Sequence, residues 1–326
     1  MEQNELLEPF ARMLEAVATP ALVRKVEEGE GADVMWNAVV ESGFLDALVA
    51  EDAGGFGLSL ADVGPLFQAL GRFAVPLPVG ETMIARALLA AGGAALPEGA
   101  IALSTGVADG EAVVSLASVS RHVLADRGDR LELIAIAAGA AADTGVRGDL
   151  SARVSLAGPA IATLSRPEGG LRAVAAVLRS ALICGAAERL LEMTTDFANE
   201  RVQFGKPIGR QQALQQNLAV MAEDVIATRI SSQLACAAGL GGKVATAATA
   251  KAIASAAAAR IANTAHAVHG AIGISEEYDL QLLTRRLHEW RLSDGSEGYW
   301  TGILGAVRLA DGPALTVDWV REHVFA

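Results

Sequence analysis

The sequence predicts a mainly α-helical protein with a small central β-domain, an N-terminal helical domain before it and a C-terminal four-helix bundle after it. Three observations predict this. Residues 1–98 repeat apolar side chains at helical spacing between glycine and proline breaks. Residues 99–166 fall into short apolar pieces divided by Gly and Asp turns. Residues 167–326 carry stretches of about 30 residues without coiled-coil heptads, which pack as an up-and-down bundle.

Composition narrows the function classes. The chain has 326 residues, enough for two or three domains. At 52% hydrophobic and 20% charged residues it has the makings of packed cores, not of a disordered chain. Its net charge of -12 argues against nucleic acid as the main partner, because neutralising phosphates takes a surplus of cations. No uncharged apolar run reaches the roughly 18 residues of a membrane span; Lys251 and Arg260 interrupt the alanine-rich stretch, so no membrane partner is expected. The acidic, amphipathic start MEQNELLEPFARMLE does not read as a signal peptide. Cys184 and Cys236 lie far apart with no CxxC or Cys/His cluster, as in a reduced, cytoplasmic protein without a structural metal.

In DVMWNAVVESGFLDALV (33–49), Trp36, Val39, Val40, Phe44, Leu45 and Leu48 recur at helical spacing. EDAGGFGLS (51–59) breaks the pattern, and LADVGPLFQALGR (60–72) resumes it. AVPLPVGE (74–81) is extended, because each proline disfavours helix in the residue before it; a further helix covers about 81–92. IALSTGV, EAVVSLASV, LELIAIAAG and ARVSLAG read as strands with tight turns. Four long helices then span about 170–203, 211–238, 243–269 and 277–291, and GSEGYW leads into a last one. The third is rich in alanine, which suits a tight helix–helix or subunit contact. The tail DGPALTVDWVREHVFA carries apolar residues expected to dock on a neighbour.

Three segments are candidates for chemistry. RVQFGKPIG (201–209) closes a long helix with Arg201 and Lys206 around Phe204 and the permissive Gly205. An arginine fork binds phosphate in bidentate fashion and Phe204 could cover a planar ring, although a helix end with a cation and a glycine stop looks the same. HAVHGAIGISEEY (266–278) places His266 and His269 on one helix face, with Glu276 and Glu277 as the only further ligands in reach. That spacing fits ordinary helix surface better than a metal site, and Gly270 and Gly273 fit a close backbone or phosphate approach. RLSDGSEGYW (291–300) holds Asp294 and Glu297 in a glycine-flanked turn, where a carboxylate could be a general base or a cap for the next helix. There is no Rossmann GxGxxG after a strand, no GxxxxGK[ST] and no GxSxG.

Taken in order, these segments resemble the acyl-CoA dehydrogenase family along nearly the whole chain. Residues 50–72 (AEDAGGFGLSLADVGPLFQALGR) are similar to the family's "PEeyGGlGls…EelGr" stretch. Residues 201–224 (RVQFGKPIGRQQALQQNLAVMAED) are similar to "RxQFGkPI…Q…LAeM", and residues 269–289 to "hGGiGyt.e..l.r..Rd". SDGSEGYW stands in the place of "YEGTseiq". The resemblance implies FAD as cofactor and an acyl-CoA thioester as substrate, desaturated between the α and β carbons. It implies that Arg201, Gln203, Phe204, Gly205, Gln212 and Gly270 contact the adenine-dinucleotide half of an FAD held mainly by a neighbouring subunit. It also implies Asp294 at the position of the base, an arginine near Arg172 or Arg179 towards CoA, and an electron-transfer flavoprotein as acceptor.

The sequence departs from the family at telling places. The loop "TE…GSD" and the strand "G.K.WItn", which hold the flavin ring, have no counterpart between residues 99 and 165. The family's Gln and second Gly of the "hGG" signature align with Ala267 and Ala271. Asp294 is one methylene shorter than the family's Glu, and a misplacement of ~1 Å can cost about 100-fold in rate. Kept contacts to a neighbour's FAD, beside lost contacts to its own flavin, resemble one short subunit of the two-plus-two heteromeric acyl-CoA dehydrogenases. Two other readings stand beside this one: a self-sufficient homo-oligomer with Asp294 as base, and a FAD-free scaffold of the same fold.

Overall fold

The computed structural model describes residues 3–107, 110–146, 148–203, 205–312 and 315–325. Five helices come first: α1 (Gln3–Val17), α2 (Pro20–Glu27), α3 (Ala32–Glu41), α4 (Leu60–Arg72) and α5 (Val79–Ala91). Thr19 caps α2 by accepting from the Leu22 amide, with Pro20 at the first helical position. Ser59 and Asp62 form a reciprocal capping box at the start of α4. The helix expected over 33–49 stops at Glu41. Gly43, at φ 75°, turns the chain into a single 3-10 turn over Phe44–Asp46.

Strands β1 (Ile101–Ser104), β2 (Glu111–Val114), β3 (His122–Asp126), β4 (Arg130–Ala135), β5 (Ala142–Asp143), β6 (Ala152–Ser155) and β7 (Ala160–Ser165) follow. The barrel-like region takes the form of two sheets, ordered β1-β3-β4-β7 and β2-β6-β5. β1 and β3 pair in parallel, so β2 crosses between them into the other sheet. Alternate residues of the larger sheet face opposite ways. Ile101, Leu103, Leu124 and Leu133 pack on α5 and the start of the first bundle helix, while Ala102, Val123, Ala125 and Ile134 pack on the smaller sheet. β3 is covered on both faces and lacks the apolar–polar alternation of a half-buried strand, which is why HVLAD does not stand out in the sequence.

The bundle comprises α6 (Gly170–Glu200), α7 (Gln212–Ala237), α8 (Val244–His269) and α9 (Leu280–Leu292), followed by α10 (Glu297–Ala310) and α11 (Thr316–His323). A two-residue hairpin pair, β8 (Val202–Gln203) and β9 (Lys206–Pro207), joins α6 to α7. α6 is long and apolar enough to cross a membrane by composition, yet 94% of its apolar window is buried inside this fold. The alanines of α8, among them Ala250, Ala254, Ala258 and Ala262, are buried within the chain's own core. The tail folds back as α11: Trp319 and Val324 pack on Ala245 of α8, leaving Leu315, Val317 and Phe325 exposed.

One apolar core runs from Phe10 through α4, α6 and α8 to Trp300. It depends on a close crossing of α4 and α6, where a Cβ on Gly71 would overlap the Leu182 carbonyl and one on Gly185 the Gln68 carbonyl. Backbone cannot yield as a flexible side chain does. Gly185→Ala is therefore expected to lower stability by about 1–3 kcal/mol or more, read as a lower urea midpoint with an unchanged slope.

Candidate functional site

The turn between α9 and α10 carries Asp294 in the left-handed region, at φ 58°, followed by Gly295 at φ 103°. A non-glycine residue there is strained by about 1–2 kcal/mol, so the surroundings must hold it. The Trp300 indole donates to the Asp294 carbonyl at 3.0 Å. The Asp294 carboxylate is engaged at both oxygens: Arg179 Nε donates to Oδ2 at 2.9 Å and Thr105 Oγ1 to Oδ1 at 2.8 Å. Arg179 Nη1 in turn donates to Glu81 Oε1 at 2.5 Å. Glu81 and Arg179 are buried, and Asp294 has only 9% of its side chain exposed. Burial opposes the charge on Arg179, but Glu81 and Asp294 outweigh it and hold the guanidinium's pKa above the ordinary arginine value.

Lys251, wholly buried in α8, lies beneath the same turn. Its Nζ donates to the Arg291 carbonyl at 2.9 Å, the Gly295 carbonyl at 2.7 Å and Ser255 Oγ at 2.9 Å. Burial pushes the ammonium down to about 7, against the pull of Asp294. Glu297 is turned away from the cluster: Arg291 Nε holds it at 3.0 Å and lowers its pKa. Of the two arginines considered for the CoA end, Arg179 is thus committed to carboxylates. Arg172 lies over the Tyr299 ring, 5.0 Å from its centroid.

The second set of expected residues lies at the far end of α6. Arg201 caps that helix, Gln203 sits on β8 and Gln212 opens α7; all three side chains are exposed. Phe204 lies outside the described residues. Gly205 (φ 80°) and Gly270 (φ 63°) take left-handed backbone, and no atom lies within 4 Å of where a Cβ would stand on either. They are open, permissive positions rather than packing positions. Ala198, Ile208 and Val268 join the hairpin to the end of α8, so Arg201, Gln203, Gly205 and Gly270 belong to one end of the bundle. Arg179 and Arg201 are 22 positions apart along α6, about 33 Å at the helical rise. One chain therefore holds Asp294 and the hairpin as two separate sites.

His266 and His269 face inside the bundle, each with one ring nitrogen paired and the other buried without a partner among the described residues. His266 Nε2 meets Thr284 Oγ1 at 3.0 Å; His269 donates to the Ala265 carbonyl and stacks on Phe197, with ring centroids 4.4 Å apart. Among the described residues no group of three His, Cys, Asp or Glu could hold a metal ion. Two open clefts, of about 560 and 460 Å³, lie elsewhere, one against α1, α6 and α9 and the other between α3 and the larger sheet. Sequence reasoning did not single out Glu81, Thr105 or Lys251 as site residues. Lys251 left a readable signal, as a lone cation inside an alanine-rich apolar helix.

Helices, two facing sheets and a four-helix bundle with a carboxylate on the turn after its last helix define an acyl-CoA dehydrogenase fold. The profile described as acyl-CoA dehydrogenase, C-terminal domain, matches residues 173–308. Acyl-CoA dehydrogenase IpdE2 of Mycobacterium tuberculosis is 33% identical over 307 residues, covering 88% of this chain and 91% of that protein. Among solved structures, the Tcur3481–Tcur3483 steroid ACAD superposes with a TM-score of 0.83 at 25% identity, covering 95% of this chain and 98% of that one. The ChsE4–ChsE5 complex of Mycobacterium tuberculosis superposes at 0.80 and 22% identity, over 96% and 99%, a likeness of fold. The chain belongs to the acyl-CoA dehydrogenase family, in its short-subunit form.

Two outcomes follow from the buried charges. Arg179→Met leaves two buried carboxylates without their cation and is expected to cost about 3–5 kcal/mol; adding Glu81→Gln and Asp294→Asn should recover part of it, as read by urea denaturation at pH 7. For Lys251 the folded pKa is depressed, so between about 7 and the ordinary 10.5 the unfolded chain holds a proton that the folded chain has released. The unaltered protein is thus expected to gain stability relative to Lys251→Met as pH rises through that window, by at most about 1.4 kcal/mol per pH unit, and thermal melts at stepped pH would measure it.

Proposed function

We propose that this chain is the non-catalytic short subunit of a heteromeric, FAD-linked acyl-CoA dehydrogenase, lending its bundle end to an FAD that a paralogous partner holds. The observation that carries the reading is the engagement of both Asp294 oxygens by Arg179 and Thr105, which leaves neither oxygen of the carboxylate at the base position unpaired. A group taking the weakly acidic α-proton of a thioester must reach that proton within hydrogen-bond distance. Here the carboxylate is spent on a buried ion pair.

The residues present fit one half of FAD. Arg201 supplies a cation fork on an exposed hairpin, Gln203 and Gln212 supply amides, and Gly205 and Gly270 leave open backbone for a pyrophosphate to approach. When bound, FAD would supply the acceptor for the β-hydride, and the partner would supply the base and the flavin-ring contacts that this sequence lacks. The run of about 33 Å along α6 from Arg179, the ion-pair partner of Asp294, to Arg201 at the hairpin supports a cofactor completed from two chains. Val220, Ile226 and Ile230 on α7 are each about half exposed and give the partner an apolar face to cover. The steroid ACAD neighbour supports a bulky acyl-CoA as substrate class. In this reading an electron-transfer flavoprotein takes the electrons and the setting is the cytoplasm, where thiols stay reduced.

Flavin absorbance and native mass of the purified chain, alone and co-expressed with a paralogous neighbour, test the proposal. Little or no flavin alone, with about one FAD per pair in the complex, is the expected result. One FAD per chain in a homo-oligomer overturns it, and no FAD in either preparation leaves a scaffold. In folded complex at matched flavin occupancy, Asp294→Asn is expected to leave turnover per flavin within about twofold, whereas loss of a working base costs about 100-fold or more. Arg201→Ala is expected to weaken FAD retention by about tenfold or more, as lost charge-assisted phosphate contacts do.

A further inference from the structure

We infer that Lys251 is a proton-dependent positioning residue for the Asp294 turn. Its Nζ clasps the carbonyls of Arg291 and Gly295, which bracket Asp294, and so fixes the strained backbone that aims the carboxylate at Arg179 and Thr105. This goes beyond the subunit reading and holds whether or not a partner completes the flavin site.

The geometry has few other ways to hold the turn. Two successive residues take positive φ, and only Gly295 does so without strain. From above, Tyr299 and Trp300 close over Gly295 so tightly that a Cβ there would fall within 2.8 Å of the Trp300 indole nitrogen. From below, the Lys251 clasp is the only side-chain hydrogen bonding to the Arg291 and Gly295 carbonyls apart from the longer bond from Ser255, at 3.3 Å, among the described residues.

Charge makes the clasp sensitive to protons. Around Lys251 stand Asp294 on the turn, Arg179 on α6, Arg291 on α9 and Glu297 on α10, with Glu81 behind Arg179. Arg291 and Glu297 neutralise each other. Glu81, Asp294, Arg179 and Lys251 balance only while Lys251 is charged. An ammonium gives all three of its donors, to two carbonyls and to Ser255 Oγ, and the Ser255 hydroxyl proton points to the Arg291 carbonyl. A neutral amine keeps two donors and a lone pair, so the Ser255 hydroxyl must turn to donate to Nζ and release that carbonyl. Loss of one proton thus leaves the cluster with a surplus negative charge and loosens the turn on the α9 side.

The Trp300 indole N–H, hydrogen-bonded to the Asp294 carbonyl, reports on the turn. In the full chain with ¹⁵N-labelled tryptophan, Trp300→Phe assigns that signal among the four indoles. It is expected to titrate with a midpoint near 7 in the unaltered protein, and to lose that titration in Lys251→Met. Amide exchange at 293–297 should also speed up by about 10- to 100-fold in Lys251→Met, as loss of charge-assisted hydrogen bonds predicts, with α6 and α8 unchanged. An indole signal flat between about pH 6 and 9, or a titration that persists in Lys251→Met, overturns the inference. So does exchange that is unchanged at the turn or raised uniformly across the bundle, as for a lysine that merely fills the core. If Lys251→Met does not fold, the unaltered protein and Ser255→Ala decide: the signal must titrate, and its midpoint must move when the reorienting hydroxyl is removed; failure of either overturns the inference.

Discussion

A single buried guanidinium joins the three regions of this chain. Arg179 reaches from α6 to Glu81 on α5 and to Asp294 on the α9–α10 turn, and Asp294 passes the connection to Thr105 at the end of β1. A cation between two carboxylates is tolerated in a dry interior only when its partners stay put, because removing one leaves an uncompensated charge. The requirement runs both ways. The helices must bring these groups together, and once together the groups restrain how α5, the larger sheet and the bundle sit against one another.

That restraint gives the fold its functional asymmetry. In the proposed reading, the carboxylate at the base position is spent on cohesion instead of being left with an unoccupied oxygen. The opposite end of α6 presents exposed side chains and two open glycines that contribute nothing visible to its own packing. Exposed polar side chains and open backbone that return no internal contact make sense as surfaces for something outside the chain. In the proposed reading the two ends of one helix divide structure from recognition.

Much of the fold was legible because it is local. The glycine break at 51–59 and the prolines at 76 and 78 before α5 mark helix ends within a few residues of those observed. β3 was not legible, because a strand covered on both faces carries no alternating pattern. The ion-pair cluster was not legible either. Its contacts span 98, 115 and 189 positions, and nothing in the neighbourhood of Glu81, Arg179 or Thr105 announces the others. The hairpin residues were found through family motifs and lie on one bundle end. Their spatial separation from Asp294 follows only from the length of α6.

The shared core has a consequence for biosynthesis. α4 packs its apolar face on α6, and the two are separated in sequence by the whole two-sheet region. While the ribosome makes the intervening 97 residues (73–169), that face has no cover. At ordinary elongation rates the exposure lasts on the order of ten seconds, long enough for a chaperone to engage it and for aggregation to compete. Shielding of α4 during translation therefore contributes to the yield of folded chain.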